Sequence, residues 1–140
     1  MARSFHITPV GVVQKSDDAA FIRIYKQYRK GLLGLEQFSH VHVLYWFHKN
    51  DTPEKRAVLQ VHPRNLKENP LTGVFATHSP MRPNLIALTR CRILAIQDTL
   101  IQVDAIDAFD GSPVIDIKSY FPYEGAPESY RFANWKKKSE

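Results

Sequence analysis

The sequence predicts a mainly β fold, a small single-sheet β-barrel of about seven strands with short helical turns. Several segments alternate apolar and polar side chains with a period of two, which is the spacing of a strand with one buried face. Two of these segments are separated only by Gln97 and Asp98, which predicts a two-residue hairpin connection. Many short strands with few helices favour a barrel or sandwich over a doubly wound α/β sheet.

The clearest alternation lies in residues 40–48, where Val41, Val43 and Tyr45 fall on one face and the histidines and Trp46 on the other. Because Trp46 alternates with a leucine on that second face, we expect it to pack in the core. The other predicted strands are short and rich in β-branched and aromatic residues; they are residues 10–13, 20–25, 58–61, 85–96, 99–106 and 114–117.

Helical spacing occurs between Tyr28 and Phe38, where Leu32 and Leu35 complete an apolar stripe. Gly31 and Gly34 would weaken a long helix, since glycine is about 1 kcal/mol less favourable than alanine in a helix interior. The pattern therefore predicts a short helical turn that leads into the next strand.

The length of 140 residues fits one domain, which we expect at residues 1–126 with a basic tail at residues 127–140. Because Cys91 is the only cysteine, an internal disulfide and a cysteine-rich zinc site are excluded. No apolar run approaches the ~20 residues that span a bilayer, and the first residues lack a secretory signal pattern. A cytoplasmic location without membrane contact is expected.

The formal net charge is +5, and acidic residues gather between Asp98 and Asp116. A basic surface beside an acidic cluster suits a polyanionic partner presented to a site that handles protons or cations, although ordinary solvated charge gives the same pattern. The basic groups are Lys26, Arg29 and Lys30; Lys55, Arg56, Arg64 and Lys67; and Arg131, Lys136, Lys137 and Lys138.

Familiar cofactor motifs are missing, because the glycines form neither G-x-G-x-x-G nor a P-loop and no G-x-S-x-G occurs. His40 and His42 share a strand face and could bind a metal with His48, His62 or His78. Packed or surface imidazoles explain these residues as well, and no carboxylate is closely spaced to them. No metal site is predicted.

The run GVFATHSPMRPN, residues 73–84, is the most distinctive segment. Pro80 and Pro83 each fix φ near −65°, so the chain is a stiff, extended connection there. Stiff backbone that carries polar groups can preorganise a ligand site, although a proline-rich crossover would have the same composition. The polar residues on it are Thr77, His78, Ser79, Arg82 and Asn84.

This run, followed by LIALTRCRI, resembles the GVFATRSPxRPNPIGLS signature of the TsaA-like, tRNA methyltransferase O family. Two further blocks are similar in order and spacing: GLLGLEQFSHVHVLYWFHKN resembles GLEGFSHIxVLFxFH, and DAFDGSPVIDIKSYFP resembles DGTPVLDIKPYxP. Together the blocks cover most of residues 31–122. The chain is identified from them as a divergent member of that family.

The resemblance implies a small β-barrel that binds S-adenosylmethionine, often as a homodimer with the cofactor near the subunit interface. The implied activity is N6-methylation of threonylcarbamoyladenosine at position 37, in the anticodon loop of a tRNA. The cofactor-binding residues that it implies are His48, Lys49, His78, Arg82, Asn84 and Leu88, with Ala105, Ile106, Asp107 and Ala108 contributing backbone groups.

Asp116, Lys118 and Tyr120 match the family's DIKPY residues. The exocyclic nitrogen of adenine must shed a proton to accept a methyl group, which calls for a nearby base. Asp116, or with less support Asp107, could be that base, with Tyr120 as a relay or stacking partner. A buried carboxylate paired to Lys118 or to backbone explains Asp116 equally well.

Contacts with RNA can be assigned in the same way. Trp46, Phe121 or Tyr123 could stack on a splayed anticodon-loop base, as in sequence-selective RNA readers. The cations expected to hold tRNA phosphates without sequence preference are Lys26, Arg29, Lys30, Lys55, Arg56 and the terminal lysines.

The chain departs from the family pattern on the cofactor side. Residues 14–18 lack the usual Pro-Arg-Gln motif, and His78 stands where the family has an arginine. Leu85, Ala87 and Ser119 replace a proline, a glycine and a proline. Two functions are carried forward: an S-adenosylmethionine-dependent tRNA methyltransferase, and a non-catalytic small-molecule- or RNA-binding relative.

Overall fold

The computed structural model describes residues 3–121 and 130–137. Within them, eight strands are formed: β1 (Gly11–Lys15), β2 (Ala20–Ile24), β3 (His40–Trp46), β4 (Gln60–Val61), β5 (Thr72–Gly73), β6 (Ile86–Gln97), β7 (Leu100–Val103) and β8 (Pro113–Ser119). The helices are short: α1 (Pro53–Arg56) and 3-10 helices at Lys26–Leu32, Leu35–Gln37, His48–Asn50, Pro63–Asn65 and Val74–Ala76.

The chain divides into two compact units. The first is Met1–His48 with Ile86–Tyr120, and the second is Lys49–Leu85 with Phe121–Glu140. In the first unit six antiparallel strands close in the order β1-β2-β7-β6-β3-β8, because β8 pairs with both β3 and β1. The second unit contains the two-stranded sheet β4–β5.

The predicted mainly β class with few helices is confirmed, and a strand lies in each of the seven predicted regions. The sheet of the first unit has six strands rather than about seven, because β4 pairs with β5 in the second unit. The two-residue connection between β6 and β7 falls one position later than predicted, at Asp98 and Thr99. Asp98 has a φ of 55°, a left-handed conformation that aspartate adopts more readily than most residues.

The predicted helical turn is confirmed as two consecutive 3-10 helices, Lys26–Leu32 and Leu35–Gln37. Gly34 lies between them with a φ of 92°, which explains why the apolar stripe does not continue as one long helix. Among the described residues, no helix has the length and apolar character that crossing a bilayer would require.

The core of the first unit follows the alternation of β3. Val41, Val43 and Tyr45 are buried inside the barrel, where they pack against residues such as Ile22 and Ile101. Trp46 has the opposite parity, so it lies on the outer face of β3 and the expected core role is wrong.

A bulge changes which face the second half of β8 presents. Leu44 pairs with Asp116, whereas the next residue of β3, Tyr45, pairs with Val114. Ile115 is therefore an extra residue of β8 that has no pairing partner on β3. Val114 is buried in the core, but Asp116 two positions later is exposed. The bulge therefore inverts the alternation, since one inserted residue moves every following side chain to the other face.

Side-chain hydrogen bonds order the second unit. Thr52 caps α1 by accepting the backbone N–H of Lys55 at 3.2 Å, with Pro53 at the first helical position. Buried Asn69 donates to the carbonyl oxygen of Lys136 at 3.1 Å and accepts its N–H at 2.8 Å. The described part of the basic tail is therefore attached to this unit, whereas the predicted boundary after residue 126 lies outside the described residues.

Candidate functional site

The loop between β7 and β8 contains the predicted backbone cradle and is held by side chains of the barrel. Lys15, at the end of β1, donates from Nζ to the carbonyl oxygens of Ile106 at 2.8 Å and Ala108 at 2.9 Å. The hydroxyl of Tyr45 donates to the carbonyl oxygen of Asp107. Three successive carbonyls are thus fixed by side chains, which makes this stretch of backbone preorganised.

The buried position of Tyr45 determines the protonation state of its hydroxyl group. Burial raises the pKa of the Tyr45 phenol above its usual value of 10, against the opposing effect of the Thr89 hydroxyl 3.0 Å away, and the charge of Asp107 adds to the rise. Tyr45 therefore remains a neutral hydrogen-bond donor to the loop at physiological pH.

The start of the same loop is fixed by Asp104. Its Oδ1 accepts the backbone N–H groups of Arg92 at 2.9 Å and Ala105 at 2.8 Å. The Arg92 bond, followed by that of Ala105, lowers the pKa of Asp104 below its usual value because both stabilise the carboxylate. Ile106 is buried in the core, so its backbone rather than its side chain is the group that a ligand could contact.

His48 lies two residues after the end of β3, next to the partly buried Phe47. Its Nδ1 is buried and has no hydrogen-bond partner among the described residues. A buried nitrogen without a partner is unfavourable by about 1–3 kcal/mol, so most such groups in folded proteins have a hydrogen-bond partner. The predicted cofactor residue His48 is therefore one to which a ligand's polar group would add a missing bond.

In the second unit, hydrogen bonds from Arg82 hold the predicted stiff segment, residues 73–84, in a turn. Arg82 donates from Nη1 to the carbonyl oxygens of Thr77 at 3.2 Å and Ser79 at 3.1 Å. Arg56 donates from Nε to the carbonyl oxygen of Pro83 at 2.9 Å. Arg82 thus shapes the turn, while the predicted ligand residue His78 is exposed on it.

The predicted site residues are divided between the two units. Lys49, His78, Arg82 and Asn84 belong to the second unit, and Lys49, His78 and Asn84 are exposed there. The first unit contains His48, Leu88, the 105–108 loop, Asp116 and Tyr120.

Within the first unit, the sheet register brings Leu88 and Asp116 into one row. Leu44 pairs with Leu88 on β6 and with Asp116 on β8, so both flank it on the outer face. At about 4.8 Å between neighbouring strands, their backbones are about 10 Å apart. Leu88, which is predicted to contact the cofactor, and Asp116, which is the predicted base, therefore lie on one surface of the first unit.

Asp116 is exposed and solvated rather than buried. Its Oδ1 accepts the backbone N–H of Ile117 at 2.9 Å, which orients the carboxylate. The described residues contain no ion pair between Asp116 and Lys118, so of the alternative interpretation only the pairing with backbone is present, and the carboxylate is not buried.

Tyr120 follows β8 on the same outer face. Four residues at about 3.3 Å each separate it from Asp116 by about 13 Å, which is too far for a direct proton relay. The tyrosine is surrounded instead by rings and a cation: His42 lies 5.1 Å away between ring centroids, and Arg90 donates to the phenol oxygen at 3.2 Å. This environment favours the stacking role over the relay role.

The predicted phosphate-binding cations are partly engaged in ion pairs. Arg29 lies 3.1 Å from Asp98, and Arg56 lies 3.2 Å from Asp51. Two exposed arginines that the sequence prediction did not include, Arg90 and Arg92, lie on the outer face of β6. Their spacing of two residues was the signal that could have identified them.

Within the described part of the chain, the histidines are not grouped as metal ligands. In residues 3–121 and 130–137, no three His, Cys, Asp or Glu side chains are grouped so that they could hold a metal ion. His40 and His42 do share a face of β3, where their rings flank Tyr120 at centroid distances of 6.1 and 5.1 Å.

Comparison with known proteins agrees with these features. A family model described as the tRNA-methyltransferase O N-terminal domain matches residues 4–125. A probable S-adenosyl-L-methionine-binding protein of Methanocaldococcus jannaschii is 44% identical over 116 residues, which cover 83% of this chain and 92% of that protein. A human tRNA (adenine(37)-N6)-methyltransferase is 41% identical over 107 residues, covering 76% of this chain and 24% of that enzyme.

A solved structure shares the fold. TrmO from Pseudomonas aeruginosa superposes with a TM-score of 0.71 at 27% sequence identity, covering 95% of this chain. The chain spans 62% of the length of that structure, and a smaller part of the human enzyme. The protein belongs to the family defined by the N-terminal domain of tRNA-methyltransferase O.

Proposed function

We propose that the protein is an S-adenosylmethionine-dependent tRNA methyltransferase, assembled as a homodimer, that acts on N6 of threonylcarbamoyladenosine at position 37 of the anticodon loop. The observation that carries the proposal is the row formed by Leu88, Leu44 and Asp116, which places a solvated carboxylate beside a predicted cofactor contact. The names of the relatives support the same cofactor and the same class of RNA substrate.

The residues of the first unit suit the cofactor. When bound, S-adenosylmethionine supplies an activated methyl group on a sulfonium sulfur and leaves as a neutral thioether. The unpartnered Nδ1 of His48 would bond a hydroxyl, ammonium or carboxylate of the ligand according to the tautomer of the ring. Lys15 and Tyr45 would keep the backbone of the 105–108 loop in position for the remaining polar groups.

Asp116 would act as the general base that accepts a proton from the adenine nitrogen. Transfer of the methyl group to the adenine nitrogen would break its bond to sulfur, and the nitrogen would then have to lose one proton. Because Oδ1 of Asp116 is held by the N–H of Ile117, we assign Oδ2 as the acceptor of that proton. Alignment of the reacting groups supplies the larger share of catalysis, about 7–11 kcal/mol in favourable cases.

One observation favours the second candidate function, a non-catalytic binding relative. β1 and β2 are joined by a four-residue turn closed by the N–H of Ser16 and the carbonyl of Ala19 at 2.9 Å. The residues of this turn lack the family's Pro-Arg-Gln motif, and exposed His78 stands at the position of its arginine. A relative that kept the fold and lost the reaction would show these features.

The proposal is tested in two steps with the full chain. Calorimetric titration should show binding of S-adenosylmethionine, and radiolabelled methyl groups should then enter tRNA from cells that lack their own such enzyme. Nucleoside analysis should find the label at N6 of the modified adenosine. Cofactor binding without incorporation would assign another substrate, and the absence of both would favour the non-catalytic relative.

Lys15→Met should weaken S-adenosylmethionine binding about 10-fold, because the loop loses the ammonium group that fixes two of its carbonyls. That factor equals ~1.4 kcal/mol, close to the contribution of one charged hydrogen bond. Calorimetry measures the change, with Lys26→Met as a control at an exposed lysine remote from the loop. Unchanged affinity in Lys15→Met would show that the loop is not part of the cofactor site.

A further inference from the structure

Three neighbouring strands of the first unit each present a pair of polar side chains, two residues apart, on the outer face of the barrel. We call their surface the outer basic face. Its pairs are His40 and His42 on β3, Arg90 and Arg92 on β6, and Lys118 and Tyr120 at the end of β8.

The sheet register aligns these pairs. His42 lies opposite both Arg90 and Lys118, and His40 lies opposite Arg92. The backbone N–H of Tyr120 donates to the carbonyl oxygen of His40 at 3.2 Å, which places the tyrosine in the second row. Two parallel rows of cationic and aromatic groups therefore cross three strands.

The positive charge of this face is not neutralised within the described chain. Arg90, Arg92 and Lys118 are exposed, and the ion pairs among residues 3–121 and 130–137 involve other arginines. The nearby acids are Asp116 in the adjoining row and Asp104, whose carboxylate already accepts two backbone N–H groups. Three cations face two carboxylates, so the face has a formal excess of positive charge and attracts an anion.

The aromatic component is held in place. The guanidinium carbon of Arg90 lies 5.1 Å from the centroid of the Tyr120 ring, and its Nη1 donates to the phenol oxygen. The ring of His42 meets Tyr120 edge-on, at 69° between their planes. Proteins that bind single-stranded nucleic acid combine such fixed aromatic or guanidinium planes, on which bases stack, with cations that follow the phosphates.

We propose that the outer basic face binds a single-stranded segment of the RNA substrate, with Arg90, Arg92 and Lys118 at phosphates and Tyr120 against a base. The inference rests on the proposed function, because it assigns a surface to that substrate. A second copy of the chain fits less well, since a two-fold contact through this face would bring like charges together.

The position of the methyl acceptor follows from the same geometry. Asp116 lies about 13 Å from Tyr120 along β8, at 3.3 Å per residue. The nucleotide that contacts Tyr120 is therefore a neighbour of the one that receives the methyl group. The RNA strand would run along β8 from the base-contacting row to the row of Asp116 and Leu88.

The test compares two triple variants with equal loss of charge. In the first, Arg90→Gln, Arg92→Gln and Lys118→Gln remove the cations of the face; in the control, Arg3→Gln, Arg23→Gln and Lys67→Gln remove exposed cations that are not among the predicted phosphate contacts. Fluorescence anisotropy measures the affinity of each for a labelled anticodon stem-loop RNA as the salt concentration is varied. Circular dichroism confirms that both variants fold, and calorimetry measures their affinity for S-adenosylmethionine.

The face variant should bind the RNA about 100-fold more weakly at about 0.1 M salt, with a salt slope smaller by about 2, because each single-strand phosphate contact contributes about 0.7. The control should retain both the affinity and the slope. Tyr120→Leu should weaken binding about 10-fold without changing the slope, whereas Tyr120→Phe keeps the stacking surface and should bind normally.

Equal losses in the two triple variants would overturn the inference, because bulk charge would then explain the binding. If the face variant methylates and binds RNA like the unchanged protein, the surface is wrong while the proposed function stands. If the unchanged protein binds cofactor but no RNA, both fail together. A change of mass by light scattering in the face variant alone would assign the face to contact between copies.

Discussion

Replacing Asp116 by asparagine is expected to slow methyl transfer to tRNA by about 10²–10⁴-fold. Asparagine keeps the shape of the side chain and can still accept the N–H of Ile117, which holds Oδ1 at 2.9 Å, but it cannot take a proton from the adenine nitrogen. Because Asp116 is solvated and has no ion pair in the described chain, the substitution leaves no unpaired partner behind. Affinities for S-adenosylmethionine and tRNA should therefore be nearly unchanged.

Single-turnover kinetics with saturating cofactor and tRNA separates this loss from any change in binding. Asp107→Asn is the matched control, since Asp107 is the other candidate base and its side chain is also exposed. Its backbone carbonyl, which Tyr45 holds, is unaffected by the change. Full activity in Asp116→Asn together with a large loss in Asp107→Asn would transfer the role of base to the β7–β8 loop.

Gly11→Ala is expected to produce the largest loss of stability, about 3 kcal/mol or more. A Cβ atom at Gly11 would lie 2.3 Å from the carbonyl oxygen of Arg23 and 3.1 Å from the Cα atom of Ile24. Both are backbone atoms of β2, and Gly11 is in register with Ile24, so relief requires the two strands to separate. The midpoint of thermal unfolding should fall by about 10 °C for a chain of this size.

Gly31→Ala is the control for that experiment. No heavy atom lies within 4 Å of the added Cβ, and alanine is the better residue in the helix Lys26–Leu32, so stability should be equal or slightly higher. The reactivity of Cys91 gives a second measurement. Burial, with a smaller contribution from Asp104, raises the pKa of this thiol to about 12, so it reacts only when the barrel opens. A fall of less than about 2 °C in Gly11→Ala would contradict the packing of β1 on β2.

Alternation predicted the strands because it is a local property, and it separated Val41, Val43 and Tyr45 from the histidines of β3, but it did not decide which of the two faces is buried. The same reasoning placed Trp46 in the core because it alternates with Leu44, although both residues lie on the face of the histidines. β5 has only two residues, too few for any periodic signal. Closure of the sheet depends on the pairing of β1 with β8, residues about a hundred positions apart, on which a local pattern gives no information.

The candidate site was predictable where it lies in contiguous motifs. The stiff turn around Arg82 follows from its two prolines and its arginine, whose bonds span only three and five residues. Lys15 and Tyr45 were not predictable, because Lys15 is 91 residues from Ile106 and Tyr45 is 62 residues from Asp107. Arg90 and Arg92 gave a period-two signal, but charged residues on a strand are equally typical of an ordinary solvated face.

The extra residue at Ile115 has a consequence for how this strand can evolve. Val114 packs in the core whereas Asp116 lies on the surface. Two residues of a regular strand that are two positions apart would share a face, but the extra residue between these two reverses which face the side chains point to. Removal of one residue there would turn the aspartate, Lys118 and Tyr120 inward together and expose Ile117. We therefore expect a deletion in this strand to be far more damaging than a change of side chain at Ile115, since a single deletion would exchange the core and the reactive surface at once.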